Sequence, residues 1–352
     1  MKVIVSGGGT GGHIFPAVSI ANAIKKALPD TEFLFIGANG RMEMEKVPAE
    51  GYKIIGLPVR GFLRPLYSPK NLLVLLDLMK SIRMAKKIIR DFNPDIAVGV
   101  GGYASAAALK AATALNVPYV LQEQNGFAGV TNQKLAKNAR KICVAYPGMD
   151  RFFPADRIVM TGNPVRQSLL ECNVTIEEAR ASFGLDPNRP TIFVTGGSLG
   201  ARSINESIAA GIQEFEKAGI QVLWQTGKAD GNKWNDIAAQ KNAKLVHPTI
   251  FVTDMAKAYK AADVVISRSG AGAVNEICLI GKASILVPLP TAAEDHQTAN
   301  AKALSTKDAA ILIPDNIARQ NLVSKAIELI EDKDKTRKME GNAKAMGKFG
   351  AA

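Results

Sequence analysis

The chain has few cysteines, few aromatic residues and no long apolar run. Its three cysteines, Cys143, Cys172 and Cys278, are too few and too far apart for a disulfide framework or a cysteine metal cluster, and they fit a reducing compartment. No stretch approaches the roughly 18 apolar residues of a membrane span, so the expected protein is soluble or at most peripheral. The apolar run before the first glycines is too short for a secretory signal. Aromatics make up 6% of the 352 residues, which argues against stacking platforms for single-stranded nucleic acid. Low-complexity segments are missing as well, and 47% apolar with 22% charged residues is an ordinary globular balance. At this length two domains, each with its own core, are expected.

Acidic residues are scarce in one half only. Residues 1–163 hold 21 Lys and Arg against 11 Asp and Glu, whereas residues 164–352 hold 23 against 21. Nearly all of the +12 net charge therefore sits in the first half, the footprint of a polyanionic partner. Nucleic acid and an anionic membrane face are the two candidates. The basic residues are interleaved with Leu and Met, and no nucleic-acid motif is present, so the expectation is a membrane surface and no nucleic acid.

Short β-branched runs alternate with helix-length segments. Strands are expected at 2–6, 32–36, 95–100, 118–122 and 141–145, then at 191–195, 221–225, 263–267, 284–288 and 310–314. Helices are expected at 16–28, 70–91, 200–217, 272–280 and 318–331. This alternation predicts an α/β fold of parallel sheets with helices on both faces, whose buried strands read as continuous apolar runs. Both series open alike, with a strand, a Gly-rich turn and a helix: VIVSGGGTGGHIFP and IFVTGGSLGARSIN. Two doubly wound Rossmann-like domains follow, 1–163 and 164–340, with TGNPVRQSLL (161–170) as the hinge. Ligands of such sheets bind beyond the carboxyl ends of the strands.

The first turn, SGGGTGGHIFP (6–16), satisfies a G-x-G-x-x-G pattern through Gly7, Gly9 and Gly12. A dinucleotide site would also need an acidic residue at the end of the second strand to hold the ribose. That strand instead runs out into Gly37, Ala38 and Asn39, while Asp30 and Glu32 precede it. The turn is therefore read as a phosphate-approach loop that does not serve a nicotinamide cofactor. Residue chemistry alone leaves its ligand open.

Seven motifs occur in one order: GGGTGGHIFPA (7–17), VGVGGYAS (98–105), EQNGFAGVTN (123–132), TGNPVR (161–166), GGSLGARSIN (196–205), SRSGAGAVNE (267–276) and EDHQTANA (294–301). In that register the chain resembles the MurG family of UDP-N-acetylglucosamine–lipid I N-acetylglucosaminyltransferases, from residue 2 to about residue 340. The resemblance implies the GT-B architecture, two doubly wound domains facing across a deep cleft. It also implies inverting transfer of GlcNAc from UDP-GlcNAc to the 4-hydroxyl of the muramyl sugar of lipid I, giving lipid II and UDP. UDP-GlcNAc is a substrate, and no cofactor or metal is expected; the D-x-D pattern of metal-using sugar transferases is missing from these motifs. An alternative on the same architecture is a UDP-GlcNAc 2-epimerase, and one of another class is an inactive nucleotide-sugar sensor.

The resemblance also distributes roles. Gly270, Ala271, Gly272 and Ala273 would bring helix N–H groups to the donor diphosphate, a favourable place for an anion. Glu276 would hold the ribose hydroxyls, Ser198 a donor phosphate, and Arg166 the departing diphosphate. Val252 would present its backbone to uracil. Gln297 and Asn300, three apart on one helix face, would read the sugar hydroxyls, joined by Asn125. Thr10, Gly11 and Gly12 would touch the donor sugar and the acceptor diphosphate. His13 is the candidate general base, because imidazole titrates near working pH. Glu123 is the rival base, and Tyr103 a possible acceptor contact.

The segment KNLLVLLDLMKSIRMAKKIIRD (70–91) sets Leu72, Leu76, Lys80, Arg83, Lys87 and Arg90 on one helical stripe, greasy at its start and cationic at its end. Phe62 adds an apolar side chain upstream. The bland reading is a core helix with a solvated end. With a lipid-linked acceptor implied, the expectation is peripheral attachment to the cytoplasmic face of the bacterial plasma membrane. Relatives in the family continue through a further helix, so residues 341–352 read as a shortened tail.

Overall fold

Continuous β-branched runs become parallel strands, and the glycines that punctuate them become the turns that matter. The computed structural model describes residues 1–352 apart from 10, 62–70, 166–168, 170, 293–294, 348–350 and 352. Thr10, Phe62 and Arg166 thus lie outside the described residues. The chain divides into two units, Met1–Arg166 and Gln167–Lys348.

The first unit runs β1 (Lys2–Ser6), α1 (Gly11–Ala27), β2 (Glu32–Ala38), α2 (Glu43–Ala49), β3 (Ile54–Leu57), α3 (Asn71–Phe92), β4 (Ile96–Gly99), α4 (Tyr103–Ala114), β5 (Tyr119–Glu123), α5 (Val130–Leu135), β6 (Lys141–Val144) and β7 (Ile158–Met160). Its sheet has the order β3-β2-β1-β4-β5-β6-β7, all parallel. One core lies on each face. Val3, Val5, Ile14, Val18 and Phe35 pack on one side, and Ile4, Leu109, Leu121, Ile142 and Ala85 on the other.

The second unit runs α6 (Ile176–Ala181), β8 (Thr191–Thr195), α7 (Arg202–Ala210), α8 (Ile212–Ala218), β9 (Gln221–Gln225), α9 (Lys233–Gln240), β10 (Val246–Thr249), α10 (Met255–Ala261), β11 (Val264–Ser267), α11 (Ala271–Ile280), β12 (Ala283–Leu286), α12 (His296–Ser305), β13 (Ile311–Leu312), α13 (Ala318–Glu331) and α14 (Lys333–Met346). Its parallel sheet has the order β10-β9-β8-β11-β12-β13. In each sheet the order reverses beside the first strand, between β1 and β4 and between β8 and β11. That reversal opens the crevice where ligands of doubly wound folds bind.

Several expectations shift. The first helix begins at Gly11, five residues before Pro16. Proline lacks the donor that would serve the Gly12 carbonyl, and Gly12 is exposed. The single helix expected over 200–217 is two, α7 and α8, parted at Gly211. A Cβ there would meet Val323 Cγ2 of α13 at 2.5 Å, so the close packing of α13 requires glycine. Residues 341–346, within the segment expected as a shortened tail, complete α14, whose Met339 and Ala343 are buried in the second unit. Among the described residues no helix is long and apolar enough to cross a membrane.

Candidate functional site

At the reversal of the first sheet, the turn after β1 and the turn after β4 lie back to back. Gly7 can have no side chain because a Cβ would sit 2.0 Å from Val100 Cγ2, and one on Gly102 would sit 2.6 Å from the Gly8 carbonyl. Gly9 has φ +89°, a left-handed conformation that glycine adopts without strain. The turn leads straight into α1, where half-buried His13 is the third residue. A Cβ on Gly101 would meet His13 Nε2 at 3.0 Å, so the imidazole lies over the β4 turn. Tyr103 opens α4 on the same rim and is 49% exposed, available to a ligand. His13 and Tyr103 are thus brought to one crevice, with Gly11 and Gly12.

Glu123, at the end of β5, is engaged by its own loop. It is buried, and its Oε1 accepts the Asn125 N–H at 3.1 Å and Asn125 Nδ2 at 3.3 Å. Its Oε2 accepts the Gly129 N–H at 3.0 Å and Asn132 Nδ2 at 2.9 Å. Four donors converge on one carboxylate, which therefore anchors the 125–132 loop and holds the amide of half-buried Asn125.

In the second unit the residues converge on the start of α11. Gly270 is its N-cap and supplies no side-chain cap. The first-turn N–H groups of Ala271, Gly272 and Ala273 are thus left to an incoming anion, which the helix dipole favours. Ser198 sits half-buried in the turn after β8, which Gly197 and Gly200 shape with φ +87° and +89°. Glu276, one turn into α11, is held by the Tyr259 hydroxyl, which donates to its Oε2 at 3.1 Å.

Val252 is buried and its N–H donates to Gln225 Oε1 at 2.9 Å, so of its two backbone groups only the carbonyl can serve a base. Gln297 accepts the Leu289 N–H on Oε1 at 3.0 Å, which leaves its amide NH2 as the group to offer. Asn300 is 1% exposed and donates from Nδ2 to the Ser269 carbonyl at 3.1 Å. Asn300 shares a helix face with Gln297 and braces the turn at Ser269, while its Oδ1 is left without a hydrogen-bond partner among the described residues. Ser269 adds a second brace, donating from Oγ to the Gln297 carbonyl at 2.8 Å.

Arg268 was legible only as a letter of the motif. It donates to the Val287 and Pro288 carbonyls at 3.2 and 3.0 Å and to Ser203 Oγ at 3.1 Å, and pairs with Asp315. One half-buried cation so ties four segments around the turn that precedes α11. Among the described residues no group of three His, Cys, Asp or Glu could hold a metal ion.

On α3 the predicted stripe is wholly exposed: Leu72, Leu76, Lys80, Arg83, Lys87 and Arg90 all face solvent. Val74, Ser81, Ala85 and Ile89 form the buried face instead. Leu73, Leu75 and Met79, 58%, 44% and 42% exposed, widen the apolar part beyond what the stripe predicted. The core-helix reading therefore fails for this stripe.

Residues 3–144 match the glycosyltransferase family 28 N-terminal domain, and residues 191–351 match the glycosyltransferase family 28 C-terminal domain. A UDP-N-acetylglucosamine–N-acetylmuramyl-(pentapeptide) pyrophosphoryl-undecaprenol N-acetylglucosamine transferase from Phocaeicola vulgatus is 53% identical over 343 residues, 97% of this chain and 91% of that protein. The transferase of the same name from Parabacteroides distasonis is 55% identical over 337 residues, 95% of this chain and 90% of that one. The crystal structure of Acinetobacter baumannii MurG superposes with a TM-score of 0.75 at 27% identity, covering 99% of this chain and 96% of that chain. The UDP-GlcNAc 2-epimerase from Neisseria meningitidis bound to UDP-GlcNAc gives 0.69 at 16% identity over 99% and 96%, a likeness of fold alone.

Two Rossmann-like domains with a glycine turn at each sheet reversal, and these matches, define a glycosyltransferase of the GT-B type. The chain belongs to glycosyltransferase family 28, among its MurG members.

Proposed function

We propose that the chain transfers GlcNAc from UDP-GlcNAc to the 4-hydroxyl of the N-acetylmuramyl-pentapeptide of lipid I, giving lipid II and UDP. The observation that carries this is 53–55% identity to the two transferases of that name over 95–97% of the chain. The acceptor oxygen forms a bond to the anomeric carbon of GlcNAc while the bond from that carbon to the diphosphate oxygen breaks on the opposite face, with inversion. The hydroxyl proton passes to a base, and the electron pair of the broken bond leaves with UDP.

The residues divide that work by unit. In the second, the first-turn N–H groups of α11 and Ser198 meet the diphosphate, Glu276 the ribose, the Val252 carbonyl the uracil and Gln297 the sugar. Stabilising a leaving group with fixed dipoles costs no reorganisation during the reaction. Arg166, outside the described residues, is the cation assigned to the departing diphosphate. In the first unit Gly11 and Gly12 admit the acceptor diphosphate, Tyr103 contacts the acceptor, Asn125 reaches the GlcNAc, and His13 takes the proton. The reading assigns no metal. The exposed greasy and cationic face of α3 rests on the anionic cytoplasmic leaflet, where the lipid-linked acceptor resides.

The test is transfer to a short-chain lipid I analogue, with UDP release and UDP-sugar isomerisation followed together. Disaccharide and UDP in equal amounts support the reading. Isomerised UDP-sugar without transfer would replace it with a 2-epimerase.

A further inference from the structure

Glu43 is a fully buried acid with no part in the roles assigned above. It opens α2, five residues beyond the end of β2, and its side chain folds back beneath the first glycine turn. Oε2 accepts the Gly9 N–H at 3.0 Å, and Oε1 accepts the Ala38 N–H at 3.0 Å. A Cβ on Gly8 would sit 2.1 Å from Oε1, and one on Gly37 would sit 2.6 Å from Cγ. Two glycines, one after β1 and one within β2, therefore make room for this one side chain.

Burial of a polar group is costly unless hydrogen bonds satisfy it. Here both partners are backbone donors, so both carboxyl oxygens must accept. The Gly9 N–H is consequently turned inward, and the chain that leaves Gly9 for α1 starts from a fixed direction. Shifting the turn would leave the buried Glu43 Oε2 without the Gly9 donor, at about 1–3 kcal/mol for an unsatisfied buried group. Nothing else among the described contacts ties the Gly9 peptide to the sheet.

We propose that Glu43 is the positioning residue of the acceptor-side glycine turn, fixing its entry so that Gly11, Gly12 and His13 meet the acceptor in one geometry. The inference rests on the acceptor reading of that turn. Glu43 touches no substrate and acts through the backbone.

The test uses the full-length enzyme, with steady-state constants for the lipid I analogue and, separately, calorimetric binding of UDP, whose residues lie in the other unit. Glu43→Gln sets an amide NH2 against one of the two backbone donors. Gly8→Ala reaches the same contact from the other side, because the atoms nearest the added methyl are those of the Glu43 carboxylate. Glu43→Gln is expected to lower acceptor kcat/KM at least tenfold with the UDP Kd within twofold. Gly8→Ala is expected to cost less in a Glu43→Ala background than in the parent enzyme. The proposal is overturned if acceptor kcat/KM stays within twofold, if UDP binding is lost in parallel, or if Gly8→Ala costs the same in both backgrounds. A parent enzyme that binds UDP but does not transfer to the analogue would overturn the acceptor reading beneath it.

Discussion

Tyr259 is buried in the second domain, and its hydroxyl donates to Glu276 Oε2 at 3.1 Å. The ring packs edge-on against Phe193, 5.6 Å between centroids. Tyr259→Phe keeps that packing and removes the hydroxyl that donates to Glu276, the carboxylate proposed to hold the ribose. UDP-GlcNAc Kd should rise about fivefold, the ~1 kcal/mol of one net hydrogen bond. Calorimetry checks it, and an unchanged Kd would detach Tyr259 from donor binding.

His13→Ala should lower kcat by about 10²–10⁴, the usual worth of a positioned general base. UDP binding should stay unchanged, since its residues belong to the other unit. Near-normal turnover with intact acceptor binding would remove His13 from the mechanism.

The exposed cations of α3 should set membrane affinity. At on the order of 1 kcal/mol per basic group near an anionic surface, Lys80→Glu, Arg83→Glu and Lys87→Glu together should weaken vesicle binding by at least 100-fold. Binding of the parent should also fall with salt. Co-sedimentation with anionic and neutral vesicles measures both, and equal sedimentation with the two would count against the membrane face. Turnover on a water-soluble acceptor should be unaffected by the triple change.

Burial pushes the His247 imidazole below its ordinary value, a shift that Glu216 opposes. The unfolded chain therefore takes up a proton first as pH falls below about 6.5. Stability should be lost as pH drops through the window between 6.5 and the lower folded value, and should level off beneath it. His247→Gln should flatten that part of the melting-temperature profile between pH 7 and 5. Identical pH slopes for parent and variant would contradict it.

Central strands were readable because a parallel strand buried on both faces is a continuous apolar run, as in TIFVT and QVLWQ. The strands that sequence reading missed, β3, β7 and β10, are edge strands. Ile158–Met160 is largely exposed and Val246–Thr249 contains Pro248, so neither carries that signal. Site positions were legible where a motif placed them beside a turn, as with His13, Ser198 and Gly270. Their division into ligand-facing groups and braces was not. Glu123 is set by Gly129 and Asn132, Asn300 by Ser269 31 residues away, and Val252 by Gln225 27 residues away. Glu43 shows the same limit: an acid does follow β2, but it is buried under the turn and tied to backbone, where a dinucleotide fold would show it to a ribose.

Sugar transfer is the activity from which every residue role above follows. The direct measurement is GlcNAc transfer from UDP-GlcNAc to a short-chain lipid I analogue with EDTA present, following disaccharide and UDP. The account predicts both products in equal amounts, undiminished by the chelator. UDP-GlcNAc binding with no disaccharide formed would contradict it.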